Sequence, residues 1–181
     1  MSLGQSILAT GALIVLTILV ISANRMIVQS QQDEYRAIAV NQASEIASAI
    51  MNEALSKQFD ENSTVPYYQS PSEFTDASAL GPDGYSEIYF VPKPDTSRIL
   101  YASSFRSMKY YNDFDDYNGY WRKVDTPTLK GYLAKCTVTY VDSSNFNTII
   151  TTKGYFKRIV VTVEQSMYLE PPISFSAVKT Y

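Results

Sequence analysis

The sequence predicts an α+β protein in which one long N-terminal α-helix, apolar and then amphipathic, packs on a C-terminal antiparallel β-sheet. Three observations lead to this fold class. An apolar run dominates residues 1–28, residues 29–59 continue without Pro or Gly, and residues 60–181 change to short alternating segments between Pro-, Ser- and Gly-rich stretches. We therefore expect an apolar helix half, an amphipathic helix half and a β-rich head domain over these three ranges.

The apolar half is the clearest feature of the chain. Residues 7–23 read ILATGALIVLTILVISA without a charge, and Met26, Ile27 and Val28 extend the run. As a helix, residues 7–28 would measure about 33 Å, which is enough to cross the hydrocarbon core of a bilayer. No Lys or Arg precedes the run, which disfavours a cleavable secretory signal. A single membrane anchor remains the simplest alternative to an assembly segment.

The amphipathic half follows directly. Charged side chains, among them Glu45 and Glu53, mostly fall outside an apolar stripe with three- and four-residue spacing. The first proline of the chain is Pro66, so one helix is expected from about Gln5 to Lys57. Such a length is unusual for a compact domain, and it makes sense when the first half lies in an apolar medium. The stripe consists of Ala39, Ala43, Ile46, Ile50 and Ala54, flanked by Ile38, Ala47 and Leu55.

The remainder predicts an antiparallel sheet with one dry and one wet face. Short strand candidates are residues 87–91 and 98–102, and a further one lies near residues 148–152. Residues 61–86 are expected to form a loop that wraps around the domain outside its core. Tyr132–Val141 and Phe156–Met167 carry stronger alternation. The expected dry face, which the helix stripe would cover, comprises Tyr132, Ala134, Cys136, Val138 and Tyr140 on one strand and Ile159, Val161, Val163 and Met167 on the other.

Composition excludes several classes of function. The chain contains no His, the commonest general base and zinc ligand. Its single Cys136 offers no CxxC spacing and is best interpreted as a small buried residue. The 15 Lys and Arg against 18 Asp and Glu give a net charge of −3 without a basic cluster. We therefore expect neither an enzyme nor a nucleic-acid-binding protein, and no cofactor.

Residues 112–121 read NDFDDYNGYW and concentrate acidic, amide and aromatic side chains. The EF-hand spacing fails, because Gly119 at loop position six would put Phe114 at position one. The favoured interpretation is an exposed turn in which Asp and Asn satisfy their own backbone and Gly119 takes a positive φ. A looser calcium site within Asp113–Asn118, using Asp113, Asp115 or Asp116, remains an open alternative. A pair of glycosidase carboxylates is disfavoured by the expected exposure.

A long helix, apolar then amphipathic, ahead of an antiparallel sheet resembles the plan of type IV pilins and pseudopilins. NDFDDYNGYW, followed by LKGYLAKCTVTYVD and GYFKRIVVTVEQ, resembles the C-terminal half of minor pilins of the MSHA type, the D subunits in particular. The shared positions are an Asp-Asp-Tyr-Asn-Gly turn at Asp115–Gly119 and a strand carrying Lys157, Arg158, Ile159, Val161 and Val163.

The chain also departs from the pilin pattern. Bacterial pilins typically carry a short basic leader, a Glu at mature position five and a helix-melting proline near position 22. Counted from Met1, Gln5 and Ser22 occupy those positions, and the first residues do not match such a leader. Three alternatives stay open: Met1 is the processed N-terminus, Gly4 is a leader remnant, or the protein is not processed in this way. Gln5 can accept a hydrogen bond from an amine but cannot neutralise a buried charge. We expect a largely unbroken helix with Gly11 as its internal weak point.

The resemblance implies a structural subunit of an extracellular, type IV pilus-like filament on a prokaryotic cell surface. Such a subunit is anchored in the inner membrane before assembly and forms a helical homo-oligomer. The alternative is a membrane-anchored minor pilin, pseudopilin or periplasmic binding module of a secretion or uptake machine. The expected filament-core interface comprises Gln5, Ile7, Leu8, Gly11, Ala12, Ile14, Val15, Ile18, Leu19, Ile21 and Met26.

Overall fold

A computed structural model of the protein describes residues 3–63, 70–96 and 105–181. Helix α1 spans Leu3–Leu55, 53 residues, and passes Gly11 without a break, as expected. Contacts divide the chain into two compact units, one ending at Ile38 and the other formed by Ala39–Tyr181. The long helix with a C-terminal sheet confirms the α+β fold class.

Five strands form one sheet in the described part of the chain, in the order β1-β2-β3-β4-β5. The short β1 pairs in parallel with β2, and the other neighbours are antiparallel. The edge strand β5 accommodates Pro171 and Pro172, which a central strand would not. The strands are β1 (Asp95–Thr96), β2 (Trp121–Val124), β3 (Tyr132–Tyr140), β4 (Phe156–Gln165) and β5 (Leu169–Thr180).

The two strands with the strongest alternation are confirmed as β3 and β4. All five predicted dry-face residues of β3 are buried, and so are Ile159, Val161 and Val163 of β4. Met167 is the exception at 76 % exposed. The strand ends at Gln165, whose Oε1 accepts the backbone N–H groups of Met167 and Tyr168 in the turn that leads to β5.

Two short strand predictions fail. Residues 87–91 lie largely in a short helix, α2 (Tyr85–Phe90), because Glu87 Oε2 accepts the N–H groups of Asp83 and Gly84 and so caps the helix start. Near 148–152 a single bridge joins Val141 and Ile149. The candidate at 98–102 lies outside the described residues. A second short helix, α3, spans Arg106–Tyr110.

The amphipathic half of α1 covers the sheet as predicted. Every residue of its stripe is buried, and the flanking Ala47 is buried as well. Tyr132 of β3 reaches the helix, where its hydroxyl donates to Gln42 Oε1 at 3.0 Å. Leu55 at the edge of the stripe is 37 % exposed, whereas Glu53, expected outside the stripe, is only 5 % exposed. The helix face is therefore apolar except for one buried carboxylate.

The Pro- and Ser-rich segment after the helix also contributes to the core, contrary to the expected wrapping loop. Phe74 and Leu80 pack with Phe59 and Tyr140 in a buried cluster. The Phe59 and Phe74 rings lie 5.1 Å apart in a tilted arrangement. Isolated aromatic residues in a Pro- and Ser-rich stretch give no periodic signal, so their burial was not predictable from pattern.

We expect Cys136 to be unreactive in the folded protein. It is 3 % exposed, and burial raises the pKa of its thiol to about 12, so little thiolate forms at neutral pH. Timed alkylation with iodoacetamide, followed by intact mass, should show modification only after unfolding in concentrated urea. Prompt modification of the native protein would contradict the buried placement.

Candidate assembly surface

The apolar half of α1 exposes its side chains along its whole length in the structure. Leu8 and Met26 are 76 % and 72 % exposed, and even Ile21 is 48 % exposed. Such a surface is much larger than the scattered apolar exposure of an ordinary soluble domain. All eleven residues of the expected filament-core interface lie on this exposed helix: Gln5, Ile7, Leu8, Gly11, Ala12, Ile14, Val15, Ile18, Leu19, Ile21 and Met26.

The apolar surface surrounds the helix rather than forming one stripe. Leu13, Ile14, Val15 and Leu16 are consecutive, and at about 100° per residue they cover most of the circumference. A helix that is apolar all round belongs in a membrane or inside protein. By length and composition α1 is able to cross a membrane. The segment therefore needs an apolar environment on every side.

Two threonine hydroxyls in this segment are satisfied within the helix. The Thr10 hydroxyl donates to the carbonyl oxygen of Ser6 at 3.0 Å, and the Thr17 hydroxyl donates to that of Leu13 at 2.8 Å. Internal partners of this kind remove the cost of placing a hydroxyl in hydrocarbon or in a protein core. Arg25 is the first charged residue after the start of the apolar run, and with Asp33 and Arg36 it marks the polar end of the segment.

Within the second unit, a buried ion pair at Glu53 holds the end of α1 to the sheet. Arg122 Nη2 of β2 contacts Glu53 Oε2, and both side chains are 2 % exposed. The hydroxyls of Ser107 and Tyr117 donate to Glu53 Oε1 at 2.6 and 2.8 Å. The Arg122 guanidinium also lies 4.0 Å from the centre of the Phe105 ring. Three chain segments thus converge on one carboxylate of the helix.

A second buried network is centred on Lys157 of β4, one of the positions in the MSHA-like strand. Its Nζ lies 2.8 Å from Asp60 Oδ2 and 2.5 Å from Asp115 Oδ1, and all three side chains are at most 3 % exposed. Although burial opposes ionisation, the hydrogen bond and charge of Lys157 hold the pKa of Asp60 below its ordinary value. This network joins the segment that follows α1, the Asp-rich turn and the sheet.

The Asp-rich turn itself is buried rather than exposed, which corrects the expected exposure. Asp113 Oδ1 accepts the N–H groups of Asp115 and Asp116 at 2.9 and 3.2 Å, so the side chain satisfies local backbone as predicted. Gly119 has the predicted positive φ, 75°. Asn118 connects two elements, because its Nδ2 donates to the Leu80 carbonyl and its Oδ1 accepts the Val138 N–H.

The two ionic networks were not identified from the sequence, although one signal was available. Glu53 follows Ile50 by three residues, a spacing that places it on the buried face of the helix. Arg122 and Lys157 lie on the buried faces of β2 and β4, where alternation predicts apolar residues. Their partners are far apart in the sequence, and only the fold brings them together.

Comparison with known proteins does not assign this chain to a family. No family profile matches the chain, and searches of curated proteins and of solved structures found no significant match. What the structure shows is a type IV pilin-like architecture, a long N-terminal apolar helix whose later turns pack on an antiparallel sheet.

Proposed function

We propose that this protein is a structural subunit of an extracellular, type IV pilus-like filament on a prokaryotic cell surface. The observation that supports the proposal is the exposed helix surface over residues 3–28, apolar on every side and continuous with a helix that is anchored in an α+β domain. Before assembly the segment resides in the inner membrane. In the filament, copies of the same helix surround it.

Assembly through this segment exchanges lipid for protein. Against water, burial of side chains such as Ile14 or Leu19 contributes about 1.5–3 kcal/mol each, but lipid already supplies most of that gain. Between helices in an apolar environment, close approach and packing become decisive, and small residues permit it. Gly11 and Ala12 lie in the middle of the exposed surface and provide such a position.

The second unit acts as the outer part of the subunit and performs no chemistry in this proposal. The chain has no histidine. Among the described residues, the buried carboxylates of Glu53, Asp60 and Asp115 are held by Arg122 or Lys157. Groups neutralised in this way serve packing rather than catalysis. In this proposal the protein functions through self-association, without nucleic acid or cofactor.

The substitution Ile7→Lys tests the filament directly. We expect it to abolish recovery of the subunit in filaments sheared from producing cells while the protein stays in the membrane fraction. A lysine near the end of a membrane helix reaches the interface with its amine, whereas a filament core offers no water to that charge. Electron microscopy and mass spectrometry of the sheared fraction provide the measurement.

Met167→Lys is the matched control, because Met167 is likewise an exposed apolar residue but lies in the turn after β4. It should leave filament yield unchanged. If the wild-type protein is found only as single copies in membranes, the filament proposal is wrong. The chain is then a membrane-anchored pseudopilin-like or binding module. Filaments that incorporate Ile7→Lys normally would instead contradict the proposed core.

A further inference from the structure

A single charged side chain lies within the apolar half of α1. Arg25 is the only charged residue among residues 1–32, and it lies between Ile21 and the apolar run Met26–Val28. These apolar neighbours are between 48 % and 72 % exposed, so whatever covers them also surrounds the Arg25 side chain. A guanidinium among apolar side chains is costly unless an anionic group lies beside it. Arg25 therefore needs an anionic partner.

The helix that carries Arg25 offers it no such partner. Residues three and four positions apart are neighbours on a helix, and none of the four positions so related to Arg25 carries an acidic side chain. Within the described residues Arg25 forms no ion pair. The nearest acid in the sequence, Asp33, lies eight residues away, which is about 12 Å along the helix axis. The partner of Arg25 therefore comes from another molecule.

The next turns of the same helix carry an excess of negative charge. Asp33 and Glu34 are exposed, and the single Arg36 balances only one of them, so residues 26–38 have a net charge of −1. None of these three side chains forms an ion pair within the described part of the chain. Adjacent positions differ by about 100° around the helix axis, so Asp33 and Glu34 together present carboxylates over a broad arc. This stretch is complementary in charge to Arg25.

The polar pattern of this stretch favours copies that are displaced along the helix axis. Without a displacement, Arg25 of one parallel copy would lie level with Arg25 of the next, and like charges repel. A displacement of eight residues instead brings Asn24 level with Gln32, and Arg25 level with Asp33. These residues lie on one side of α1, where the polar side chains along a shallow groove are Asn24, Arg25, Gln29, Gln32, Asp33 and Arg36.

We propose that Arg25 of one copy pairs with the acidic pair Asp33 and Glu34 of a neighbouring copy of this chain. The pairing rests on the proposed filament, whose copies leave one membrane in the same direction and run parallel. It displaces the two helices by eight or nine residues, about 12–13.5 Å along the axis. Because every copy carries both the arginine and the acidic pair, the contact is head-to-tail and repeats along the filament.

A zero-length cross-link tests the contact while keeping its charges. The first lysine of the chain is Lys57, so Arg25→Lys adds a side-chain amine where the apolar half has none. A water-soluble carbodiimide, applied to membranes and to sheared filaments, should couple this amine to Asp33 or Glu34 of another copy. Cross-linked dimers and larger products are separated by size, and mass spectrometry identifies the joined peptides. Asp33→Asn with Glu34→Gln in the same background is the control and should give no such product.

Charge reversal gives a second readout. Arg25→Glu should lower the recovery of filaments by about tenfold or more, because three acidic side chains then meet without their cation. Adding Asp33→Lys and Glu34→Lys should restore most of the yield, since the two charges are then exchanged. Lys130→Glu is the matched control, because it reverses an exposed charge on the second unit, and it should leave the yield unchanged.

The results distinguish failure of the pairing from failure of the filament. A normal filament yield from Arg25→Glu, or filaments in which the Arg25→Lys amine couples to neither acid, would overturn the pairing and leave the filament proposal standing. Arg25 would then only meet phosphate groups at the membrane surface. Cross-linked copies in membranes without any wild-type filaments would support the pairing and contradict the filament. Absence of both cross-links and filaments would contradict both proposals.

Discussion

Glu53→Ala is expected to lower the free energy of unfolding by about 3–5 kcal/mol. The substitution removes the partner of Arg122 and leaves a guanidinium buried at 2 % exposure without its carboxylate. It also deprives the hydroxyls of Ser107 and Tyr117 of an acceptor. Urea unfolding of the full chain in detergent, followed by the fluorescence of the single Trp121, provides the measurement.

Two further variants separate the ion pair from general effects on the helix. Glu45→Ala changes an exposed glutamate on the same helix and should shift stability by less than about 0.5 kcal/mol. Combining Glu53→Ala with Arg122→Met should recover part of the lost free energy of unfolding, because neither charge then stays buried alone. A loss below about 1 kcal/mol for Glu53→Ala would show that the pair contributes little and that Arg122 finds another partner.

Lys157→Met is expected to have an effect of similar size, about 3–5 kcal/mol at neutral pH. Two buried carboxylates, Asp60 and Asp115, lose the ammonium group that lies 2.8 and 2.5 Å from them. Lys153→Met is the matched control, because Lys153 pairs at 3.1 Å with Asp76, whose side chain is 70 % exposed. A surface pair of this kind contributes at most about 1 kcal/mol.

The pH dependence of the stability lost in Lys157→Met shows whether the loss comes from the carboxylates or from packing. Lys157 holds the pKa of Asp60 below its ordinary value against the effect of burial, and it offsets part of the burial that raises the pKa of Asp115. Removal of Lys157 should therefore raise the pKa of both carboxyl groups. A lowered folded pKa contributes stability above the unfolded pKa and loses it as the pH falls through the folded pKa. The difference in unfolding free energy between wild type and Lys157→Met should therefore be largest at neutral pH and should narrow as acid protonates Asp115 and then Asp60. A difference in unfolding free energy that stays constant with pH would indicate that the substitution acts through lost packing instead.

The sequence and the structure agree best where a feature repeats with a regular period. The apolar run, the stripe from Ala39 to Ala54 and the alternation in β3 and β4 each place several side chains on one side, and burial follows from that pattern. Residues 87–91 show the opposite case. Their β-branched and aromatic content suggested a strand, but the Glu87 side chain caps two N–H groups and starts a helix instead.

The apolar segment that forms the candidate assembly surface was predictable from sequence alone, since an uninterrupted apolar run is visible without any tertiary contact. The proximity of the Asp83, Glu87 and Asp116 carboxylates was not predictable in the same way. Asp116 was singled out within its own turn, but Asp83 and Glu87 lie about thirty residues earlier in a segment without a periodic pattern. Only the fold brings them together, and beside the turn Asn118 bonds both the Leu80 carbonyl and the Val138 N–H of β3.

By itself the sequence determined the fold class, the extent of α1, the two central strands and the apolar segment that requires a membrane or other helices around it. These depend on local spacing and hydrophobicity, which a chain carries wherever it folds. The tertiary structure alone decided which polar groups are brought together: Glu53 with Arg122, Lys157 with Asp60 and Asp115, and Asp116 with Asp83 and Glu87. Charges attract or repel according to distance in space, and residues that are distant in sequence become neighbours only after the helix and the sheet have packed.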